Sequence, residues 1–446
     1  MKAPVDENPR LSVSALEDFF HKHPSIEFIR YQWVDLSGIL RTRILPKEQT
    51  LKLALQNDGA LRCSPVTLQS LVDLSYMPDW DAQSGAVHRL CPDWSSLRPL
   101  AGGETTSLYA TVMCCILEET CPSGEENWIC PRYALSNVLR VAEERFGLRF
   151  LVGFEIEFVI LQPSDDPEQG FPLCNPLSHR YAVAGMRDST FRHVEKSVRN
   201  LIAAGVQIHD FHPEGASGQY ENSLAPLPPM EAADEIVRAH DIIKTTVAAE
   251  GYIATMIPRP RLARQSNGEH IHISLQSNDS QHTEESFLAG LLRWISAICA
   301  VTLPYPQSYC RVTKREAGDR AAWGTENRDV AVRKIKTSHW EIRCADATAN
   351  MYLALASLLA AGLEGVEQQR PLTLEDASIS NADQLVDPLP TTLGDALELL
   401  KRSVDGLEPF LGSNLIPQCV KLKQVESERI AALTPGTLET FMTTLF

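Results

Sequence analysis

Six residues, Glu155, Glu157, Glu214, Glu221, His270 and Glu341, have the types and spacings of ligands for a pair of divalent cations. Glu155 and Glu157 sit in Phe150–Leu161 (FLVGFEIEFVIL), a run too apolar and β-branched for a loop. Along a strand, side chains two apart leave the same face. Both carboxylates therefore share a face, with Phe154, Ile156 and Phe158 on the other. Carboxylates side by side in an apolar strand repel, and their unpaired burial is costly. A hard cation with a preference for oxygen removes both penalties. The same-face spacing recurs in His270-Ile271-His272 and in Glu341-Ile342-Arg343. Glu214 and Glu221 bracket a stretch with Gly215 and Gly218, where backbone can approach a ligand closely. Five carboxylates and one imidazole suit Mg2+ or Mn2+ better than zinc. Taken singly, each pair has a plainer reading: a solvated loop at Glu214–Glu221, a satisfied strand pair at His270/His272, an ion pair at Glu341/Arg343.

Residues 311–343 form the most basic stretch of an acidic protein, with Arg311, Lys314, Arg315, Arg320, Arg328, Arg333, Lys334, Lys336 and Arg343. Interleaved Glu316, Asp319, Glu326 and Asp329 fit a solvated charged face. The competing reading is phosphate handling, because arginine forks grip phosphate and carboxylate oxygens in a bidentate way. Divalent ions beside several arginines are the equipment of phosphoryl transfer, where catalysis is mostly alignment and charge neutralisation. The sequence has no Gly-x-x-x-x-Gly-Lys-Ser/Thr loop and no kinase signature set, which disfavours the common nucleotide folds.

The elements that must hold these groups can be read in outline. Residues 26–46 predict a β-hairpin joined at Asp35-Leu36-Ser37-Gly38, and 107–117 a further strand. Helices are predicted at 132–146, 189–204, 229–250, 285–302, 350–366, 392–408 and 416–433. A domain boundary near residue 120 separates a small β-rich part, 1–120, from a larger α+β part, 121–446. The 446 residues are 44% hydrophobic and 22% charged, ordinary for a globular protein. A net charge of −16 argues against nucleic-acid binding and a basic membrane patch. The first residues lack an apolar signal core, and Phe287–Leu303 and Met351–Leu363 fall short of an uninterrupted membrane span. The eleven cysteines include no C-x-x-C pair, so reduced thiols and a cytoplasmic location are expected, with Cys114–Cys115 as packing residues.

Together, Gly153-Phe-Glu-Ile-Glu-Phe158, His212-Pro-Glu214, Gly218-Gln-Tyr-Glu221, Gly268-Glu-His-Ile-His-Ile-Ser-Leu275, Trp323-Gly-Thr-Glu-Asn-Arg328 and Glu341-Ile-Arg343, followed by Asp346-Ala-Thr-Ala-Asn350, closely resemble glutamine synthetase. They occur in the family's order over residues 150–350. The resemblance implies a β-grasp N-terminal domain and a catalytic domain with an antiparallel sheet of split-barrel, guanido-kinase-like type. It implies one metal site at Glu157, Glu214 and Glu221 and a second at Glu155, His270 and Glu341. His272, Ser274, Arg328 and Arg333 then face ATP, while Arg311, Arg343, Gln265, Ser266 and Gly268 face the acid substrate. Glu316 takes the place of the flap glutamate that accepts the amine's proton, and Arg328 and Arg343 act on the transferred phosphoryl group. Asp58 matches the start of a loop that reaches a neighbouring subunit's site, in a ring of ten or twelve subunits. The implied reaction is ATP-dependent amide formation through an acyl phosphate.

Several positions depart from the family pattern. Gln265-Ser266-Asn267-Gly268 stands where Asn-Gly-Ser-Gly is usual, His339 replaces an arginine, and Ala60-Leu61 replace two serines of the ammonium loop. An acid joined to an organic amine is therefore the expected chemistry. The alternatives are an ordinary ammonia-using glutamine synthetase and a catalytically silent structural relative.

Overall fold

The hairpin expected after residue 26 is present in a computed structural model of the chain, which describes residues 13–57, 59–78, 87–100, 108–120, 129–174, 181–263, 265–276, 280–379 and 386–446. Strands β1 (Phe28–Val34) and β2 (Leu40–Pro46) pair antiparallel. Asp35 shapes their turn, its carboxylate accepting from the Ser37 and Ile39 amides. Gly38 sits there at φ +90°, where an added Cβ would stand 2.4 Å from the Thr348 carbonyl. That contact docks the hairpin onto the larger part of the chain, and Asn350 Nδ2 reinforces it by donating to the Asp35 carbonyl at 2.9 Å.

The first sheet continues with β3 (Leu61–Cys63), β4 (Val87–Pro92), β5 (Arg98–Pro99) and β6 (Tyr109–Thr120). Its order is β2-β1-β6-β4-β3, with β5 also on β6 and only β1–β6 parallel. Cys114 on β6 is buried in the core and Cys115 half-buried beside Arg132. Helices α1 (Val13–Lys22) and α2 (Lys47–Asn57) flank this sheet, although the sequence reading predicted neither.

The second sheet carries the chemistry. Its strands are β7 (Arg149–Leu161), β8 (Ile208–Pro213), β9 (Gln219–Leu224), β10 (Ile253–Thr255), β11 (Glu269–Gln276), β12 (Trp323–Thr325), β13 (Val332–Lys336) and β14 (His339–Ile342). The order is β12-β13-β14-β11-β7-β9-β8, with β10 also on β7. It is antiparallel as expected except at the β12–β13 edge, which is parallel.

The remaining helices are α3 (Pro131–Phe146), α4 (Val183–Met186), α5 (Phe191–Ala203), α6 (Pro229–Ala248), α7 (Ser280–Thr302), α8 (Met351–Glu367), α9 (Leu393–Lys401), α10 (Val404–Leu411), α11 (Leu415–Ala431) and α12 (Pro435–Leu445). The single helix expected at 392–408 is two, parted by the turn residues Arg402 and Ser403, whose amides donate to the Leu399 and Leu400 carbonyls. Helix α12 was not expected either; Thr434 caps it by accepting from the Thr437 amide. Residues 282–302 of α7 are long and apolar enough to cross a membrane by length and composition, but 72% of that window is buried inside the protein, much of it against α8.

One continuous core joins both sheets. Phe154, Ile156, Phe158, Ile271 and Ile273 face it from the second sheet and Ile29 and Tyr31 from the first. A buried ion pair crosses the boundary between them: Arg132 Nε and Nη2 grip Asp234 at 3.0 and 2.8 Å, Nη2 reaches Asp93 at 2.7 Å, and Tyr352 donates to Asp234 at 2.6 Å.

Candidate metal and phosphate site

Strand register assembles the site. With cores packed on one face, the polar side chains of β7 and β11 must emerge on the other, and cross-strand partners then meet at close range. Glu157 stands opposite Glu221, which stands opposite His212. Glu155 stands opposite His270. His272 stands opposite Glu341, which stands opposite Arg333. These three rows step diagonally across the sheet, and all their members but His212 and His272 line a cleft of about 160 Å³ with Gln265, Ser266, Arg311, Glu316, Arg328 and Arg343.

Two groups of potential ligand atoms result. Glu155, His270 and Glu341 bring theirs within 4.8 Å of one another, as the second expected site requires. His270 Nδ1 lies 2.9 Å from Glu155 and 3.5 Å from Glu341. The other group is His212, Glu214 and Glu221. His212 was not among the expected ligands, and the register with Glu221 is what brings it in. Glu157 lies beside both groups, 3.9 Å from His270, but its Oε2 already accepts from the Gly268 amide at 2.7 Å and from Gln219 at 3.0 Å.

The electrostatics fit divalent cations. Burial, with the charges of Glu155 and Glu157, pushes the Glu221 carboxyl up to about 7 despite His212 beside it. Burial and Glu157 also raise Glu214, whose Oε2 is buried with no hydrogen-bond partner. Burial likewise disfavours the Glu155 carboxylate, yet the hydrogen bonds and charge of His270 and His272 hold it well below the usual range. Half-buried and buried oxygen donors crowded around imidazoles suit Mg2+ or Mn2+, whose charge removes the repulsion.

The basic cluster divides in two. Arg311, Arg315, Arg328, Arg333 and Arg343 line the cleft. Lys334 instead pairs with Glu284 at 2.7 Å, and Arg320 donates to the Val386 carbonyl. Arg333 Nη1 meets Glu341 at 2.8 Å and its other nitrogens meet Glu326. Arg343 pairs with Glu341 and donates to the Arg315 carbonyl at 3.0 Å. Arg311 differs from these. It is 1% exposed, and its bonds, both 3.3 Å, go to the Ser266 hydroxyl and the Arg343 carbonyl. Among the described residues it has no carboxylate partner, and its Nε has no partner at all. The buried Asp346 carboxylate feels its charge without forming an ion pair with it, so the guanidinium fork is left open to an anionic ligand.

Of the other expected residues, Glu316 accepts from the Thr313 hydroxyl at 3.3 Å and lies 3.9 Å from Arg259. Gly268 presses on the site: an added Cβ would stand 2.6 Å from Arg311 Nη2 and 2.9 Å from His270 Nε2. His272 bridges Glu155 and His339, at 3.1 Å to each. Burial and the charge of His272 push His339 down to about 4, while Glu155 raises His272 against the opposing effect of burial. Ser274 pairs with His339 farther along the strand and does not line the cleft. Asp58 lies outside the described residues. Tyr181 joins the cleft unexpectedly, its ring edge-on to His212 at 4.7 Å; only the aromatic ring in a polar segment marked it in sequence.

Comparison with known proteins bears on this geometry. Residues 128–440 match the family described as glutamine synthetase, catalytic domain. Protein fluG of Emericella nidulans is 33% identical over 436 residues, covering 95% of this chain and 49% of that protein, so the chain spans about half its length. Gamma-glutamylpolyamine synthetase GlnA3 of Streptomyces coelicolor is 30% identical over 446 residues, 90% of each chain. A crystal structure described as a novel glutamine synthase homolog superposes with a TM-score of 0.78 at 25% identity, over 94% of this chain and 99% of its own. The family match takes in every strand of the second sheet, on which the three polar rows stand, and the chain therefore belongs to the glutamine synthetase family.

Proposed function

We propose that the protein is an ATP-dependent ligase that joins a carboxylic acid, glutamate or a relative of it, to an organic amine through an acyl phosphate. Enzymes of this family use ATP and divalent metals. The observation that carries the reading is Arg311, a buried guanidinium with no carboxylate in ion-pair contact among the described residues, set beside two groups of cation ligands. An organic amine is favoured by the likeness to a gamma-glutamylpolyamine synthetase and by Ala60 and Leu61, which offer no hydroxyls to ammonium.

In this reading Glu155, His270 and Glu341 hold one cation, and Glu214, Glu221 and His212, with Glu157, hold another. Mg2+ or Mn2+ so bound supplies neutralisation of phosphoryl charge. Arg328, Arg333 and His272 take the ATP phosphates. Arg311, with Gln265, Ser266 and the Gly268 backbone, orients the acid so that one carboxylate oxygen meets the γ-phosphorus. That oxygen forms the new P–O bond and ADP departs, while Arg343 balances charge on the transferred group. The amine nitrogen then bonds to the acyl carbon, phosphate leaves, and Glu316 accepts the amine's proton. We also place a domain boundary near residue 120, take the first sheet as a β-grasp module, and expect a homo-oligomeric ring in the cytoplasm whose first domain, through Asp58, completes a neighbour's site.

A phosphate-release screen crossing carboxylic acids with amines tests this. The expected result is a higher kcat/KM for at least one alkyl, aromatic or polyamine acceptor than for ammonium. Ammonium outrunning every amine, with glutamine as product, assigns an ordinary glutamine synthetase. No turnover with any pair in Mg2+ or Mn2+ removes the catalytic reading.

A further inference from the structure

A cavity of about 500 Å³ opens between the β1–β2 hairpin, α6, β10 and the end of α12. Small-molecule sites span roughly 300–1,000 Å³ and favour such contacts between structural units. Leu40, Ile236, Ile253 and Leu445 give it apolar walls, and its polar side is one stripe of α6: His240, Asp241 and Lys244. A helix places residues four apart on one face, so His240 and Lys244 stand together.

These polar groups are not consumed by the fold. Lys244 Nζ carries three donors and makes one hydrogen bond, 3.1 Å to the Thr444 carbonyl. Burial pushes its ammonium down to about 8. Asp241 meets Arg30 of β1 at 3.3 Å and also attracts the Lys244 ammonium, though among the described residues Lys244 has no carboxylate within ion-pair contact. His240 Nε2 lies 2.9 Å from the carboxylate of Glu269, wholly buried, with neither oxygen in an aligned hydrogen bond.

We propose that this cavity binds a small amphipathic carboxylate, with its carbon body on the apolar walls and its carboxylate on Lys244. Both a simple aliphatic acid and an apolar amino acid carry this chemistry; the second would also place its ammonium by Asp241. The inference does not rest on the catalytic reading, since the cavity and the cleft share no lining residue.

The test is calorimetric titration of the full chain, without ATP, with hexanoate and norleucine, and with 1-hexanol and hexylamine as controls of matching length. Hexanoate, norleucine or both should bind saturably and at least ~tenfold tighter than either control, as expected for a charge-assisted hydrogen bond in a sheltered site. Lys244→Met should weaken the acids by at least ~tenfold while Lys244→Arg keeps them, and Thr245→Trp, which fills the cavity, should abolish binding in a protein still folded by circular dichroism. The three variants also separate this site from Arg311 in the cleft, which all of them leave intact. The proposal is overturned by unchanged acid binding in Lys244→Met or in Thr245→Trp, or by the absence of saturable binding in the wild-type protein.

Discussion

Removing and restoring the cation should move protons, and by an amount that the site's geometry sets. Glu221 lies in the middle of a row of cross-strand partners, buried, with Glu157 directly opposite and Glu155 close by. Its neutral form is therefore favoured up to a pH of about 7 when no cation is bound. A bound cation takes the carboxylate only, so binding must displace whatever proton is present. From Glu221 alone, Mn2+ binding at about pH 6.5 should release ~0.8 proton, and at about pH 8 only ~0.1. The same linkage makes the apparent Kd about tenfold weaker at about pH 6 than at about pH 8, or ~1.4 kcal/mol. The sign is fixed: acid protonates the ligand and opposes the metal. Glu214 and His212, both also shifted upward, add protons in the same direction. Calorimetry in buffers of different ionisation enthalpy reads the proton count directly. Glu221→Gln should flatten the pH dependence. No net proton release at the lower pH, together with a pH-independent Kd, would refute the arrangement of Glu221 among cation ligands.

Other outcomes follow from the same geometry. Gly268→Ala pushes a Cβ into Arg311 and His270, so kcat/KM should fall ~10²-fold or more with a folded protein, as for ångström-scale misplacement of a reactant; near-normal turnover would show that both side chains swing aside freely. Arg328→Ala and Arg333→Ala should each lower kcat by ~10²-fold or more, with Lys a poor rescue because it lacks the fork; normal rates in both return these arginines to a solvated face. Arg132→Met strands the buried Asp234 carboxylate and should reduce unfolding free energy by ~3–5 kcal/mol in denaturant titrations, whereas a loss well under ~1 kcal/mol would mean that water replaces the pair.

Much of the candidate site is legible in the sequence because alternation in a strand is local. Phe150–Leu161 could only place Glu155 and Glu157 on one face once its apolar residues took the other, and β7 does so. The long helices are legible for the same kind of reason: Pro229 opens α6, and Asn350 caps α8 by accepting from the Leu353 amide. Short or interrupted elements are not. Helices α9 and α10 read as one because only Arg402 and Ser403 part them, and both keep near-helical backbone angles. Basic residues 311–343 could not be sorted by pattern, since Lys334 and Arg333 are neighbours in sequence and find different partners.

The sequence by itself determined the ligand types, the same-face pairs and the family, because these depend on residue identity and on spacings within one element. Only the tertiary structure decided which pairs meet. The β7–β9–β8 register put His212 beside Glu221, and the loop before β11 occupied one oxygen of Glu157. It also left Arg311 buried, with no carboxylate in ion-pair contact among the described residues. Register is chosen by the whole hydrophobic face of a sheet, summed over strands far apart in the chain, and no local spacing encodes that sum.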